Sequence, residues 1–166
     1  MSSNKATKVV PATVSDVPEI LKFIRELAIY EKLEHEMVAD EIALTQTLFG
    51  KERYAEVLFL EEEGKKVAFA LFFHNYSTFL GKPGIYLEDL FVLPQYRGKG
   101  YGKQLLAHLA KTAVQRNCGR LEWSVLNWNT PAIEFYGSLG AKPMNEWTVN
   151  RLTGDALYQL SSQDPA

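Results

Sequence analysis

Three glycines, Gly98, Gly100 and Gly102, alternate with larger residues between an apolar run and an amphipathic segment. The apolar run, residues 85–92, predicts a strand, and Pro94 ends it because proline cannot donate to a sheet ladder. Apolar residues then recur at helical spacing and predict a helix, with the face Leu105, Leu106, Leu109, Ala110 and Ala113. A strand, a glycine loop and a helix in this order are typical of an α/β fold.

The glycine loop can bring backbone N–H groups close to a pyrophosphate at a helix N-terminus. Two nucleotide-binding motifs are excluded by the spacing. The dinucleotide fingerprint needs its third glycine one residue later, and a Walker A loop needs glycine at Arg97 and Ser or Thr at Gln104. An ordinary glycine turn before a helix stays open as the alternative.

The rest of the chain predicts a succession of short strands and helices. Asp16 is the predicted cap of a helix that ends near Tyr30, with Glu19 at capping-box spacing. A second helix is predicted after Asp40, with Gly50 as its left-handed C-terminal residue. The other predicted elements are a strand at 8–11, a hairpin of 56–60 and 67–73 with Gly64 in its turn, a strand at 121–126, a helix at 130–139 capped by Thr130, a strand at 147–152 and a short helix at 155–160.

Length and composition predict one domain. A chain of 166 residues, 46% of them hydrophobic, can bury a core, so we interpret 1–166 as a single domain with frayed ends at 1–6 and 161–166. The net charge of −2 argues against nucleic acid and anionic membranes as partners. The longest apolar run, 67–73, is too short for a membrane span, and the start has no leader pattern. With Cys118 as the single cysteine, we expect a cytoplasmic protein without a disulfide or a metal.

Two motifs together resemble those of the GNAT family of N-acetyltransferases. Arg97 to Gly102 has the spacing R-x-x-G-x-G of the family's acetyl-CoA signature, and residues 127–141 are similar to its second signature. The order of predicted elements resembles that of the family from Lys8 to Leu160. The resemblance implies an α/β GNAT fold, with a mixed, mostly antiparallel sheet of six to seven strands flanked by about four helices. It also implies acetyl-CoA as a co-substrate.

Acetyl transfer to an amine needs three chemical functions. An alkyl amine with a pKa near 10.4 is neutral in only about one molecule per few thousand at pH 7, so a proton acceptor is required. The oxyanion of the tetrahedral intermediate must be stabilised, and the departing thiolate must be protonated. The family usually transfers the acetyl group directly, so the lack of a Ser-His or Cys-His signature in this sequence is no objection.

Within the family, the chain resembles the spermidine/spermine N-acetyltransferase branch. The segments that carry this resemblance are 30–31, 86–89, 95–98 and 128–129. By this resemblance, Glu88 receives the amine proton, directly or through water, and Tyr136 faces the CoA sulfur as the general acid. Without the motif, Tyr136 would be read as a packed aromatic of its helix.

The same resemblance implies which residues contact the two substrates. The acetyl-CoA contacts are Leu90, Phe91 and Val92 on the strand, Arg97, Gly98, Lys99, Gly100, Tyr101, Gly102 and Lys103 in the loop, and Asn129, Ala132 and Tyr136 downstream. The amine pocket is lined by Tyr30, Glu31, Glu88, Asp89, Glu146 and Trp147. Adjacent acids face opposite sides of a regular strand, so Glu88 and Asp89 are alternatively half-exposed strand acids unless a bulge interrupts the strand.

Six acidic residues predict a site for a cationic substrate, with a solvated acidic surface as the alternative: Glu31, Glu34, Glu36, Glu88, Asp89 and Glu146. In the segment Tyr76-Ser-Thr-Phe, polyamine enzymes tend to carry an acid, whereas the serine and threonine of this chain resemble those of thialysine acetyltransferases. We therefore expect transfer of acetyl to the primary amine of a small cationic molecule, either thialysine or lysine-like or a diamine or polyamine. Acetylation of a protein lysine or N-terminus and a non-catalytic CoA-binding sensor are the alternatives. A homodimer is implied by the branch alone.

Overall fold

The structure is a computed structural model in which residues 5–165 are described. The frayed ends expected at 1–6 and 161–166 therefore lie partly outside the described residues. The chain divides into two compact units, residues 1–126 and residues 127–166, which are treated separately below.

The first unit contains a five-stranded sheet in the order β1-β2-β3-β4-β5. Its first three strand pairs are antiparallel, and the pair β4–β5 is parallel. The predicted mixed, mostly antiparallel α/β fold is therefore confirmed. Among the described residues, the chain has five strands rather than six to seven and five α-helices rather than about four. The strands are β1 Thr7–Pro11, β2 Glu56–Glu62, β3 Lys65–Ser77, β4 Lys82–Val92 and β5 Leu121–Trp123.

Helices α1, Val17–Tyr30, and α2, Glu41–Phe49, cover one face of this sheet. Their apolar side chains recur at helical spacing and form a core with every second residue of the strands. The buried members of this core are Val17, Ile20, Phe23, Leu44, Leu48, Val57, Phe59, Phe69, Phe91 and Leu93. The core thus fixes the end of α1 and the end of β4 in the same unit.

Two predicted helix ends differ in the structure. The capping box lies one turn earlier than expected, because the Asp16 carboxylate accepts a hydrogen bond from the Thr13 backbone N–H at 2.8 Å rather than capping α1. Asp40 caps α2 as predicted, accepting from the Ala43 N–H at 2.8 Å. Gly50 is not left-handed, since its φ is −77°. A Cβ there would lie 2.2 Å from the Gln46 carbonyl oxygen, so close approach explains this glycine.

The hairpin between β2 and β3 turns at Glu63 and Gly64, whose φ angles are 51° and 81°. Two positive angles in a two-residue turn match the twist of the strands that it joins. The prediction of Gly64 in the turn is therefore confirmed.

Helix α3, Tyr101–Gln115, follows the glycine loop as predicted. Four of the five residues on the predicted face, Leu105, Leu106, Leu109 and Ala113, are buried. Ala110 is exposed, because the buried stripe of α3 runs through Tyr101 rather than through Ala110. Strand β5 is also shorter than the predicted 121–126, since it pairs with β4 only as far as Trp123.

The second unit contains helices α4, Thr130–Ser138, and α5, Gly154–Ser161. Asn129 rather than Thr130 is the N-cap of α4. Its Oδ1 accepts a hydrogen bond from the Ala132 backbone N–H at 3.4 Å. The strand predicted at 147–152 is wrong. The Asn150 side chain donates to the Thr148 carbonyl at 3.0 Å, a local bond that competes with strand pairing.

None of the helices within residues 5–165 is long and apolar enough to cross a membrane.

Candidate active site

Strand β4 contains a bulge at its two adjacent acids. Leu71 of β3 is opposite Asp89 and Phe72 is opposite Leu87, so Glu88 is the extra residue without a partner in the ladder. A bulge breaks the strict alternation of a strand and re-aims its side chains. The condition for a joint role of Glu88 and Asp89 is therefore met.

A third carboxylate interacts with these two. Glu31, which caps the end of α1, is half-buried, as is Asp89, whereas Glu88 is exposed. Burial, followed by the charges of Glu88 and Glu31, raises the pKa of Asp89 from 3.8 to about 7. Burial and the charge of Glu88 also raise the pKa of Glu31. The acid cluster, as we call Glu31, Glu88 and Asp89, therefore disfavours full ionisation unless a cation is bound.

The strand pairing opens on one side of β4 directly at the bulge. The parallel ladder with β5 covers Ile85 to Leu87 and stops there. Among the described residues, no strand pairs on that side with Leu90, Phe91 or Val92, while β3 still pairs with them on the other side. Backbone groups on the open side of this segment therefore have no strand partner there, and the Val92 carbonyl accepts from Arg97 instead. The role of these residues in binding acetyl-CoA stays a prediction.

The glycine loop follows β4 through a 3-10 turn at Pro94–Tyr96. Gly98 and Gly100 have φ angles of 79° and 81°, a conformation that only glycine adopts at low cost. No atom lies within 4 Å of the position that a Cβ would take at either glycine. At Gly102 the nearest atom is a Val92 methyl carbon at 3.9 Å. The loop is therefore open in front of the first turn of α3, and a pyrophosphate can approach its backbone.

Arg97 connects the glycine loop to Tyr30 and to the end of β4. Its Nε donates to the Val92 carbonyl at 3.1 Å. Its guanidinium carbon lies 4.7 Å from the ring centre of Tyr30 and 5.2 Å from that of Phe91. The structure therefore brings Tyr30, at the end of α1, next to the predicted cofactor loop.

Sequence reasoning missed Glu62, which is only 5% exposed. Its carboxylate accepts hydrogen bonds from the side chains of Lys99 and Tyr101 on either side of Gly100. The signal was present in the strand alternation, because Leu58, Leu60 and Glu62 share one face of β2. The predicted hairpin, however, leaves the acids at 61–63 between its two strands. Lys103, in contrast, is exposed on the first turn of α3.

The downstream motif residues lie in the second unit. Ala132 and Tyr136 share a face of α4, because they are four residues apart. Both are half-buried. The Tyr136 ring lies 5.6 Å from that of Phe135. Asn129, Ala132 and Tyr136 are thus gathered at the start and on one face of α4.

Glu146 and Trp147 are not placed on a strand. Both are exposed, with Trp147 at 77%, and the Trp147 N–H donates to the Met144 carbonyl at 3.1 Å within a turn. Their assignment to the amine pocket stays a prediction.

Comparison with known families decides the class of the protein. Residues 20–141 match the acetyltransferase (GNAT) family, a segment that contains both the glycine loop and the downstream motif. The chain belongs to the GNAT acetyltransferase family. The resemblance inferred from Arg97–Gly102 and residues 127–141 is confirmed, and this N-acetyltransferase contains the bulge and the loop in one unit.

Two curated relatives cover nearly the whole acetyltransferase. The L-ornithine N5-acetyltransferase of Arabidopsis thaliana is 39% identical over 90% of this chain and 85% of the relative. The thialysine N-epsilon-acetyltransferase of Mus musculus is 34% identical over 95% of this chain and 99% of the relative. Both names describe transfer of an acetyl group to the side-chain amine of a small amino acid.

Solved structures confirm the fold of the acetyltransferase. An integron cassette protein from the mobile metagenome of V. cholerae superposes with a TM-score of 0.80 and 28% identity, over 95% of this chain and 98% of that chain. An aminoglycoside N-acetyltransferase in complex with CoA has a TM-score of 0.71 over 91% of this chain and 97% of that chain. At 16% identity, this second likeness concerns the fold alone.

Proposed function

We propose that this acetyltransferase transfers the acetyl group of acetyl-CoA directly to a primary amine of a small molecule with two amino groups. A diamino acid such as thialysine or ornithine is the first candidate, and a diamine or polyamine is the second. The observation that carries the proposal is the acid cluster at the β4 bulge, in the same unit as the open glycine loop.

The acid cluster fits the amine side of this reaction. Burial and mutual repulsion favour protonation of these carboxylates. A bound ammonium group stabilises their ionised form instead, and so takes the place of the proton. Glu88 is exposed, so it can pass a proton to water after taking it from the amine. Asp89, which is half-buried, holds the second, distal ammonium group of the substrate.

The open edge of β4 and the glycine loop fit acetyl-CoA. Backbone groups of Leu90 to Val92 bind the acetyl and pantetheine portions, and the N–H groups of residues 98–103 bind the pyrophosphate. Asn129 and Ala132 contact the pantetheine arm, and the hydroxyl of Tyr136 protonates the thiolate. Glu146 and Trp147 complete the amine pocket in this proposal.

The β3–β4 turn bears on the choice of amine. Ser77 is 6% exposed and its hydroxyl accepts from the Leu80 N–H at 3.2 Å, so this side chain supports the turn. Thr78 is exposed, and neither residue carries the charge that would bind a further cationic group of a long polyamine. The names of the two curated relatives point the same way, toward a small diamino acid.

The branch resemblance further supports a cytoplasmic homodimer. Sedimentation equilibrium of the purified chain would test the dimer, and a monomer at micromolar concentration would contradict it.

The experiment that tests the proposal measures release of free CoA thiol from acetyl-CoA with a panel of amines. The panel contains thialysine, L-ornithine, spermidine, n-butylamine and a lysine-containing peptide. We expect the highest kcat/KM with a diamino acid. Higher kcat/KM with the peptide would favour a protein acetyltransferase, and binding of CoA without turnover of any amine would favour a sensor.

Asp89→Asn in the same assay tests the role of the acid cluster. Because the substitution removes the contact with the distal ammonium group, KM should rise far more for ornithine than for n-butylamine. Equal effects on both amines would show that Asp89 does not contact the second amino group.

A further inference from the structure

Glu62 is a buried carboxylate next to the glycine loop. It is the last residue of β2, lies opposite Thr7 of β1 and Lys65 of β3, and is 5% exposed. A carboxylate is rarely buried to this extent unless it is paired. The partners of Glu62 therefore explain why it is buried at the end of β2.

One oxygen of this carboxylate holds both neighbours of Gly100. Oε1 of Glu62 accepts from the Lys99 ammonium at 3.1 Å and from the Tyr101 hydroxyl at 2.5 Å. Gly100 itself is left-handed and has no side chain that could fix its conformation. The two flanking side chains therefore anchor the loop to the sheet through Glu62.

The Lys99 ammonium is directed to Glu62 in this arrangement, while 42% of its side chain stays exposed. Its ammonium lies 5.2 Å from the ring centre of Tyr96 and 5.9 Å from that of Tyr101, in addition to its ion pair with Glu62. The hydrogen bond from Tyr101, aided by the hydrogen bond and the charge of Lys99, lowers the pKa of Glu62, so the carboxylate stays ionised. Lys99 thus faces Glu62 rather than the open side of the loop.

A second, uncharged anchor holds the other side of the same turn. The Gln104 N–H donates to the Gly100 carbonyl at 3.0 Å, and the Gln104 side chain exchanges hydrogen bonds with the Thr7 hydroxyl at 3.1 and 3.2 Å. The loop is therefore held from β1 and from β2 by contacts within the protein. Such preorganisation lowers the cost of ordering the loop on binding.

We propose that Glu62 is a positioning residue for acetyl-CoA, which holds Lys99 and Tyr101 so that the backbone N–H groups of the loop, and not the Lys99 ammonium, bind the pyrophosphate. This inference rests on the proposed function, because it takes the glycine loop as the pyrophosphate site. Glu62 touches neither the acetyl group nor the amine in this proposal, so its effect is confined to donors that carry a pyrophosphate.

The test compares two acetyl donors in the Glu62→Gln variant. Acetyl-CoA carries the pyrophosphate, whereas S-acetylpantetheine lacks it. We expect KM for acetyl-CoA and Kd for CoA to rise about tenfold, as for loss of a hydrogen bond to a charged group. KM for S-acetylpantetheine and kcat should stay within about twofold of the wild type. A general structural defect would instead affect both donors alike.

Glu61→Gln is the matched control. Glu61 lies on the same strand and also pairs with lysines, Lys66 at 3.8 Å and Lys8 at 3.9 Å, but it does not contact the loop. We expect no change in KM for either donor. Tyr101→Phe keeps the ring and removes one of the two hydrogen bonds to Glu62. We expect KM to rise for acetyl-CoA and not for S-acetylpantetheine in this variant as well, and it replaces Glu62→Gln as the test if that variant does not fold.

Two results would overturn the inference: unchanged CoA affinity in both Glu62→Gln and Tyr101→Phe, or an equal rise in KM for the two donors. Tighter CoA binding on release of Lys99 would also contradict it. The failure of the proposed function has a different signature, because it is seen in the wild type itself: no CoA binding if the glycine loop is not the pyrophosphate site, or CoA binding without release of thiol if the protein is a sensor.

Discussion

Asp89 shows how the environment of one residue sets its charge. Burial and the charges of Glu88 and Glu31 raise its pKa from 3.8 to about 7, so it retains its proton at pH 6 in the absence of substrate. A bound ammonium group favours the carboxylate and lowers the pKa again. The amine and the proton therefore compete for the same group, and KM for a diamino acid should fall as pH rises through about 7.

The same pKa predicts a pH dependence of stability. Because the folded-state pKa of Asp89 lies above its value of 3.8 in the unfolded chain, the folded state holds more protons between pH 4 and 7. The contribution of this group to the free energy of unfolding therefore falls as pH rises across that window, by at most about 1.4 kcal/mol per pH unit.

Asp89→Asn should remove this contribution at nearly constant side-chain volume. Urea denaturation of the variant and of the wild type at pH 5 and pH 8 measures it as a difference, in which the titration of groups that do not interact with Asp89 cancels. We expect the variant to gain stability relative to the wild type as pH rises. A difference that is the same at both pH values would show that Asp89 titrates normally.

Tyr136 offers a test of the enzyme against the non-catalytic sensor. Tyr136→Phe keeps the ring beside Phe135 and removes only the hydroxyl proposed to protonate the thiolate. Loss of a positioned general acid lowers kcat by about 10²–10⁴, and a thiol with a pKa near 8.5 leaves readily, so we expect about 10². Affinity for acetyl-CoA should change little. If kcat in a well-folded variant stays within about threefold, water rather than Tyr136 is the acid.

At the scale of single elements, the glycine loop combines a left-handed backbone, which only glycine adopts at low cost, with the proposed pyrophosphate site. Gly100 has a φ of 81° and open space in front of it, so any side chain there adds strain and also occupies the proposed pyrophosphate position. Gly100→Val is therefore predicted to lose acetyl-CoA binding with the fold retained. A control for the strain is therefore needed, and Gly81 in the β3–β4 turn, with a φ of 62° and equal open space, supplies it.

Gly100→Ala and Gly81→Ala should lose similar stability, about 1–2 kcal/mol each, because both place an L-residue in the left-handed region. Only Gly100→Ala should weaken CoA binding in calorimetry. Equal CoA affinity in the two variants would remove the glycine loop from the binding site, whatever their stabilities.

Sequence patterns predict most elements of the first unit because each helix and strand has a regular apolar period. They fail where two local solutions compete. Thr13-x-x-Asp16 and Asp16-x-x-Glu19 both fit a capping box, and the structure forms the first of them. The bulge at Glu88 could not be predicted for a similar reason. It is defined by the pairing of β4 with Leu71 and Phe72 of β3, and these partners lie outside the segment that contains Glu88 and Asp89.

At the scale of the whole chain, the two units differ in their cores. The core residues of the protein, from Val17 to Ala113, all lie in the first unit, and within residues 127–165 no residue is buried. The motif at 127–141 could be recognised from the sequence because its residue types are distinctive. The strand expected at 147–152 depends on a partner strand, which a pattern within that segment cannot reveal.

This difference predicts how the chain unfolds. The second unit has about 40 residues and no disulfide, and its helices α4 and α5 have nine and eight residues, too short to be stable alone in water. We therefore expect a peptide of residues 127–166 to lack helical circular dichroism.

The interpretation of 1–166 as one domain predicts that the full chain unfolds in a single transition, with urea midpoints that coincide for circular dichroism and for single-tryptophan variants retaining Trp123 or Trp147. An earlier midpoint at Trp147 than at Trp123, or a cooperative transition of the isolated peptide, would show that the chain contains two domains.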